Sequence, residues 1–203
     1  MANRKGEHTK ALIVQKASKL FNSQGYMASS ISGIMHETGL KKGGIYNHFE
    51  SKEELMLSAF SYSIEMMGHF FSEALAGKKG CMERLLSIAS VFKRHSKNEL
   101  LPGGCPLMNA AIEADDADPI LREKVCAAMD ELFELIARFV RLGIEMGEVR
   151  KGADPEFVAT IMISTLEGAL MLSKLYGNQV HMERAMQHVQ FFLTAELGLP
   201  SKN

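Results

Sequence analysis

The 203-residue chain is 46% hydrophobic and 23% charged with a formal net charge of -1, which fits a folded globular protein and excludes disordered, fibrous and strongly basic classes. Its three cysteines, Cys81, Cys105 and Cys126, form no Cys-x-x-Cys pair, which argues against a disulfide frame and a zinc knuckle and for a reducing cytoplasm. No uninterrupted apolar run nears the roughly 18 residues of a membrane span, and no apolar core follows the basic start Met1-Ala2-Asn3-Arg4-Lys5-Gly6, so neither a membrane nor a secretion signal is expected.

Helix signals recur along the whole chain and strand signals are nearly absent. From Thr9, Leu12, Ile13, Ala17, Leu20 and Phe21 follow the spacing of one buried helical face, ending near Gly25. A short helix is expected from Ser30 to Gly39, with Ile31, Ile34 and Met35 inward, and another from about Lys42 to His48. Ser51-Lys52-Glu53-Glu54 reads as a capping box, in which Ser51 serves the amide of Glu54 and Glu54 reaches back. It opens a long helix to about Ala76. After the turn Gly77-Lys78-Lys79-Gly80, a helix runs from Met82 to about Lys97. Leu101-Pro102-Gly103-Gly104 breaks the chain, and Cys105-Pro106 starts a short helix to about Glu113. Asp118-Pro119 and Asp154-Pro155 each pair a good cap with proline at the first helical position, opening helices of about 28 and 22 residues. The last helix spans about Met182 to Leu197 and stops at Gly198 and Pro200. The expected fold is therefore all-α, with nine helices, of which three short ones lead.

The first two short helices meet across Gly39-Leu40-Lys41, where Gly39 suits a left-handed cap and Leu40 plugs the angle between them. This is a helix-turn-helix. Its second helix carries Tyr46, Asn47 and His48, all able to hydrogen-bond phosphates or base edges. Gly43 and Gly44 would let the backbone approach DNA, and Lys52 opens the next helix, where its charge suits a phosphate. Residues 1–56 hold eight Lys/Arg against five Asp/Glu, and residues 57–203 hold fifteen against nineteen. A basic head on an acidic body fits a protein whose head alone approaches phosphates. From the residues alone, a solvated helical corner explains the same pattern.

The segment Lys42-Gly43-Gly44-Ile45-Tyr46-Asn47-His48-Phe49-Glu50-Ser51-Lys52-Glu53-Glu54-Leu55 resembles the recognition-helix signature of the tetracycline-repressor family. Ala17-x-x-Leu20-Phe21-x-x-x-Gly25-Tyr26 and Ser30-Ile31-x-x-Ile34 match in order and spacing. The resemblance covers about 50 residues, and the rest agrees in helical layout. It implies an all-α dimer with a DNA-binding domain at residues 1–55 and a ligand-binding and dimerisation domain at residues 56–203. It also implies a transcriptional repressor that leaves a palindromic operator when a small molecule binds. Carried over, Tyr46, His48, Lys52 and Ser30 contact the DNA backbone, while Lys42, Gly44 and Asn47 lie where bases are read. The family usually has a small capping residue where this chain has Lys41, which cannot accept helix N-terminal hydrogen bonds and is instead a candidate phosphate contact.

The helix from Asp154 is apolar nearly all round, through Phe157, Val158, Ile161, Met162, Ile163, Leu166, Ala169, Leu170, Leu172 and Leu175. Such a helix is buried on both faces, either as the centre of a monomeric core or, with the last helix, in an isologous homodimer interface. Fourteen methionines are either core filler or the walls of an adaptable pocket. Phe70, Phe92, Met108, Ile112, Met162, Leu166 and Leu170 are the expected lining for a mostly apolar ligand. Cys105, at a helix start behind two glycines, is either a small buried residue or a thiol activated for an electrophilic effector, with Lys174 as a basic neighbour. No His-Glu-x-x-His, Gly-x-Ser-x-Gly or phosphate-binding glycine loop occurs. His181 and His188 are two turns apart on one helix face, too far for one metal without outside ligands. No enzyme activity, cofactor or metal is expected.

Overall fold

In the computed structural model, residues 2–114 and 118–198 are described, the side chains of 2–5 excepted. Among them nine helices and no strand occur: α1 Ala2–Gln24, α2 Ile31–Thr38, α3 Lys42–Tyr46, α4 Lys52–Leu75, α5 Cys81–Ser96, α6 Pro106–Ala114, α7 Pro119–Glu145, α8 Pro155–Tyr176 and α9 Val180–Leu197. The stop residue Pro200 lies outside the described residues. The expected elements all form. The largest boundary difference is at the first, where α1 runs back through the polar segment before Thr9 that carries no apolar periodicity.

Two compact units divide the chain, one of residues 1–68 with 101–125 and one of residues 69–100 with 126–203. The chain passes between them inside α4 and inside α7, and once between α5 and α6. The first unit has a core of Ile13, Ala17, Phe21, Tyr26, Ile34, Ile45, Leu55 and Ala59, all with no exposure. The Tyr26 ring stacks on Phe21 at 5.8 Å and meets Phe60 edge-on at 6.1 Å.

In the second unit α8 packs against α5 and α9. Leu85, Ile88 and Phe92 of α5, Met162, Leu166 and Leu170 of α8, and Val189 and Leu193 of α9 are all buried. Asp154 caps α8, accepting from the amide of Phe157 at 3.0 Å, with Pro155 opening the helix. By length and composition alone α8 is apolar enough to cross a membrane, which amends the expectation drawn from uninterrupted apolar runs. Half of its most apolar stretch is nonetheless buried inside the protein, as for the central helix of a bundle.

Candidate functional site

The local chemistry of the sequence builds the helix-turn-helix step by step. Ser30, in extended backbone, accepts from the amide of Gly33 at 3.3 Å and starts α2. Gly39 ends α2 with φ of 70°, donating its amide to the Met35 carbonyl at 2.9 Å. That left-handed conformation strains any residue with a Cβ. Ile45 is fully buried and Phe49 nearly so, and these two anchors fix the rotation of α3. The remaining side chains of α3 then face outward. Lys41, Lys42, Gly43, Tyr46 and Asn47 are exposed, and Gly44 and His48 are half-buried. Gly44 lies against Leu40, the residue of the turn. Lys42 places its ammonium 5.8 Å from the Tyr46 ring centroid, within cation–π reach. Lys41 precedes α3 without a side-chain cap bond, as the chemistry of an ammonium requires.

The capping box at α4 forms with one shift. Ser51 accepts from the amide of Glu54 at 3.1 Å, while Glu54 reaches back to the amide of Glu50 at 2.6 Å rather than to that of Ser51. Lys52 is half-buried, and its ammonium donates to the Met27 carbonyl at 3.2 Å.

A second set of bonds, invisible in the sequence, ties the end of α1 to α6 within the first unit. The Glu113 carboxylate accepts from the amides of Tyr26 at 2.9 Å and Met27 at 2.8 Å. Asn22 donates to the carbonyls of Pro102 at 2.7 Å and Gly104 at 2.9 Å. Asn109 donates to the backbone and side-chain oxygens of Asn22 and to the Gly103 carbonyl, all at about 3 Å. Gly103 has φ of 94°, and a Cβ there would run into the Asn22 carbonyl. Gly103 therefore serves a close backbone approach, and Gly104 a left-handed turn with φ of 91°. Of the two readings of Cys105, the buried one fits: the residue is 0% exposed. The exposed thiol is Cys126. Cys81 is buried beside Glu148, and burial with that carboxylate pushes its thiol up to about 11.

The residues proposed from sequence to line a pocket fall in both units. Cys105, Met108 and Ile112 belong to the first, and Phe70, Phe92, Met162, Leu166, Leu170 and Lys174 to the second. Ile112 is 65% exposed and turns to solvent on the face of α6 opposite Ala110 and Ala114. Met108, Phe70 and Lys174 are half-buried, and Phe92, Met162, Leu166 and Leu170 are fully inside. Sequence reasoning gave no role to His95. The structure buries it, with its ring 6.2 Å from that of Phe70 and nearly perpendicular to it. Burial, with the charges of Arg94 and Lys174, holds the imidazole neutral, its pKa lowered to about 4. Neither ring nitrogen has a hydrogen-bond partner among the described residues. A histidine inside an otherwise apolar helix face was the available signal, and the seven histidines of the chain diluted it.

On α8 the apolar periphery divides in two. Val158, Met162, Leu166 and Leu170 pack inside the protomer, whereas Phe157, Met171 and Leu175 are exposed. With Ile161, Ser164 and Gly168 they follow alternating steps of three and four residues along one side of the helix, the spacing of a seam against another helix. A side chain at Gly168 would meet open space. Phe191 of α9 is also exposed, at 72%.

The profile described as "Bacterial regulatory proteins, tetR family" matches residues 13–59. That described as "Tetracyclin repressor-like, C-terminal domain" matches residues 81–189, more than half of the chain. A crystal structure of a TetR transcriptional regulator from Chloroflexus aurantiacus is 42% identical, with a TM-score of 0.92 over 96% of this chain and 98% of that one. The HTH-type transcriptional repressor DhaR of Mycobacterium sp. strain GP1 is 26% identical over 93% of this chain and 91% of its own. The same fold, at 20% identity and a TM-score of 0.76 over 89% of this chain and 94% of the other, occurs in a cysteine mutant of the TetR-family regulator CifR complexed with 26-bp double-stranded operator DNA. With both halves matched and the helix-turn-helix in place, the chain belongs to the tetR family of bacterial regulatory proteins.

Proposed function

We propose that this regulator is a cytoplasmic repressor that binds a palindromic double-stranded operator as a homodimer and leaves it when a small apolar molecule enters its helical body. The observation that carries the reading is the α2–turn–α3 corner. Buried Ile45 and Phe49 hold a short helix whose outward residues are Lys42, Tyr46 and Asn47, the donors that phosphates and base edges need. Tyr46, His48, Lys41, Lys52 and Ser30 contact the backbone of the operator, and Lys42, Gly44 and Asn47 face its bases. Lys52 exchanges the Met27 carbonyl for a phosphate on binding. Residues 1–55 carry recognition, and residues 56–203 carry the ligand and the dimer.

The exposed seam of α8, with Phe191 of α9, supports the homodimer. A face of Phe157, Met171, Leu175 and Phe191 left in water is the kind of apolar patch that marks an interface, and two-fold pairing also supplies the second recognition helix a palindrome requires. The burial of Cys105 favours a reversible apolar effector over an electrophile. Gel shifts with promoter-containing fragments, run beside sedimentation of wild type and Leu175→Glu, test the reading. Wild type should sediment as a dimer and shift a palindromic fragment. Leu175→Glu, which puts a charge on the seam without touching the protomer core, should do neither. A monomeric wild type that binds a palindrome tightly would refute it.

A further inference from the structure

The effector reading leaves the chemistry of the ligand open, and His95 narrows it. The residue is 2% exposed, with Phe70 edge-on to the ring and Phe92 one helical turn earlier, itself 6.2 Å from Phe71. Ser96, Gln179 and Ser173 of the second unit have partners of their own. Ser96 donates to Gln179 at 2.7 Å, Gln179 donates back to the Ser96 carbonyl at 3.1 Å, and Ser173 accepts from the amide of Met182 at 3.0 Å. Both nitrogens of His95, by contrast, find no partner among the described residues. Buried polar atoms in that condition are rare and costly, and each calls for an explanation.

A neutral imidazole offers one N–H donor and one bare nitrogen acceptor. A hydroxyl serves either, because it both donates and accepts. Burial first, and then the charges of Arg94 and Lys174, keep the imidazole in this neutral form, able both to donate and to accept. The Phe70 ring edge-on to the imidazole, with Phe92 one turn earlier on α5, favours an aromatic body over a polar one. We propose that His95 is the polar anchor of a binding site in the second unit for a small aromatic molecule bearing one neutral hydroxyl, the phenol class. This rests on the reading of the body as a ligand-binding domain, and it names the ligand's chemistry and the side chain that selects it.

The test is a titration of the full-length protein, without DNA, with 4-ethylphenol and with ethylbenzene, which has the same shape without the hydroxyl. The readout is the imidazole nitrogen resonance of His95, assigned by its loss in His95→Phe. Wild type should show a saturable shift with the phenol and bind it roughly tenfold or more tightly than ethylbenzene. His95→Leu and His95→Phe, two variants of different shape that both remove the nitrogens, should keep the affinity for ethylbenzene and lose the preference for the phenol. Either variant suffices provided it melts cooperatively. Unmoved His95 resonances, equal binding of the two probes by wild type, or a preference retained in either variant would overturn the proposal. Because no DNA is present, a failure here leaves operator recognition standing, and a failure of operator recognition leaves this titration readable.

Discussion

Replacing Glu113 by alanine probes the bonds that join α6 to the end of α1. The carboxylate accepts two backbone amides, one part-buried at 2.9 Å and one exposed at 2.8 Å. A hydrogen bond to a charged acceptor contributes about 1.5–3 kcal/mol, and exposure to water pulls each toward the lower end. With water able to replace the exposed bond, the loss should total about 2 kcal/mol. For a chain of this size that lowers Tm by roughly 5 °C. The effect should also be local. Amide hydrogen exchange at Tyr26 and Met27 should accelerate in Glu113→Ala more than at Ile13 or Phe21, whose environment is apolar. Glu113→Gln, which keeps one carbonyl oxygen, should fall between. Unchanged Tm together with unchanged protection at both amides would refute the assignment of Glu113 as the link between α6 and the recognition head.

The neutral His95 gives the fold a pH signature. Its folded pKa of about 4 lies below the usual value of 6.5, so the unfolded chain binds the proton first as pH falls. Stability should be unaffected above about pH 6.5 and decline toward pH 4 by up to about 3 kcal/mol. Melting curves of His95→Phe should lack that share of the decline, and an identical pH profile would contradict it. For the thiols, a maleimide at neutral pH should label Cys126 alone in the folded protein, with Cys81 and Cys105 reacting only on unfolding; rapid labelling of Cys105 would overturn its burial.

Local chemistry made most of the fold legible. Ser30, Gly39, Ser51 and Asp154 stop or start helices through groups within four residues of themselves, so their effects can be read along the chain. The rotation of α3 follows from Ile45 within it and Phe49 just beyond it, both buried. What escaped depends on contacts distant in sequence. The glycines before Cys105 left both a buried residue and an activated thiol open, because nothing local shows that the Asn22 carbonyl lies against Gly103. Glu113 reads as a surface acid until Tyr26 and Met27, 87 and 86 residues away, are brought against it. Ile112 and Ala110 lie two positions apart on a nine-residue helix, and periodicity over so short an element did not separate the solvent side from the core side. On α8 the apolar positions were evident, yet which of them face the protomer and which form the exposed seam depended on the packing of α5 and α9.

The central claim is that the outward face of the helix-turn-helix, with Lys52, grips operator phosphates in a dimer. The direct measurement is the salt dependence of binding to a palindrome selected from random duplex DNA, for wild type and Lys52→Ala. If Lys52 leaves Met27 for a phosphate, removing its ammonium should weaken binding to every sequence alike. It should also lower the slope of log affinity against log salt by about one unit per protomer. Selection that enriches no palindrome, or a Lys52→Ala isotherm with the affinity and salt slope of wild type, would contradict the account.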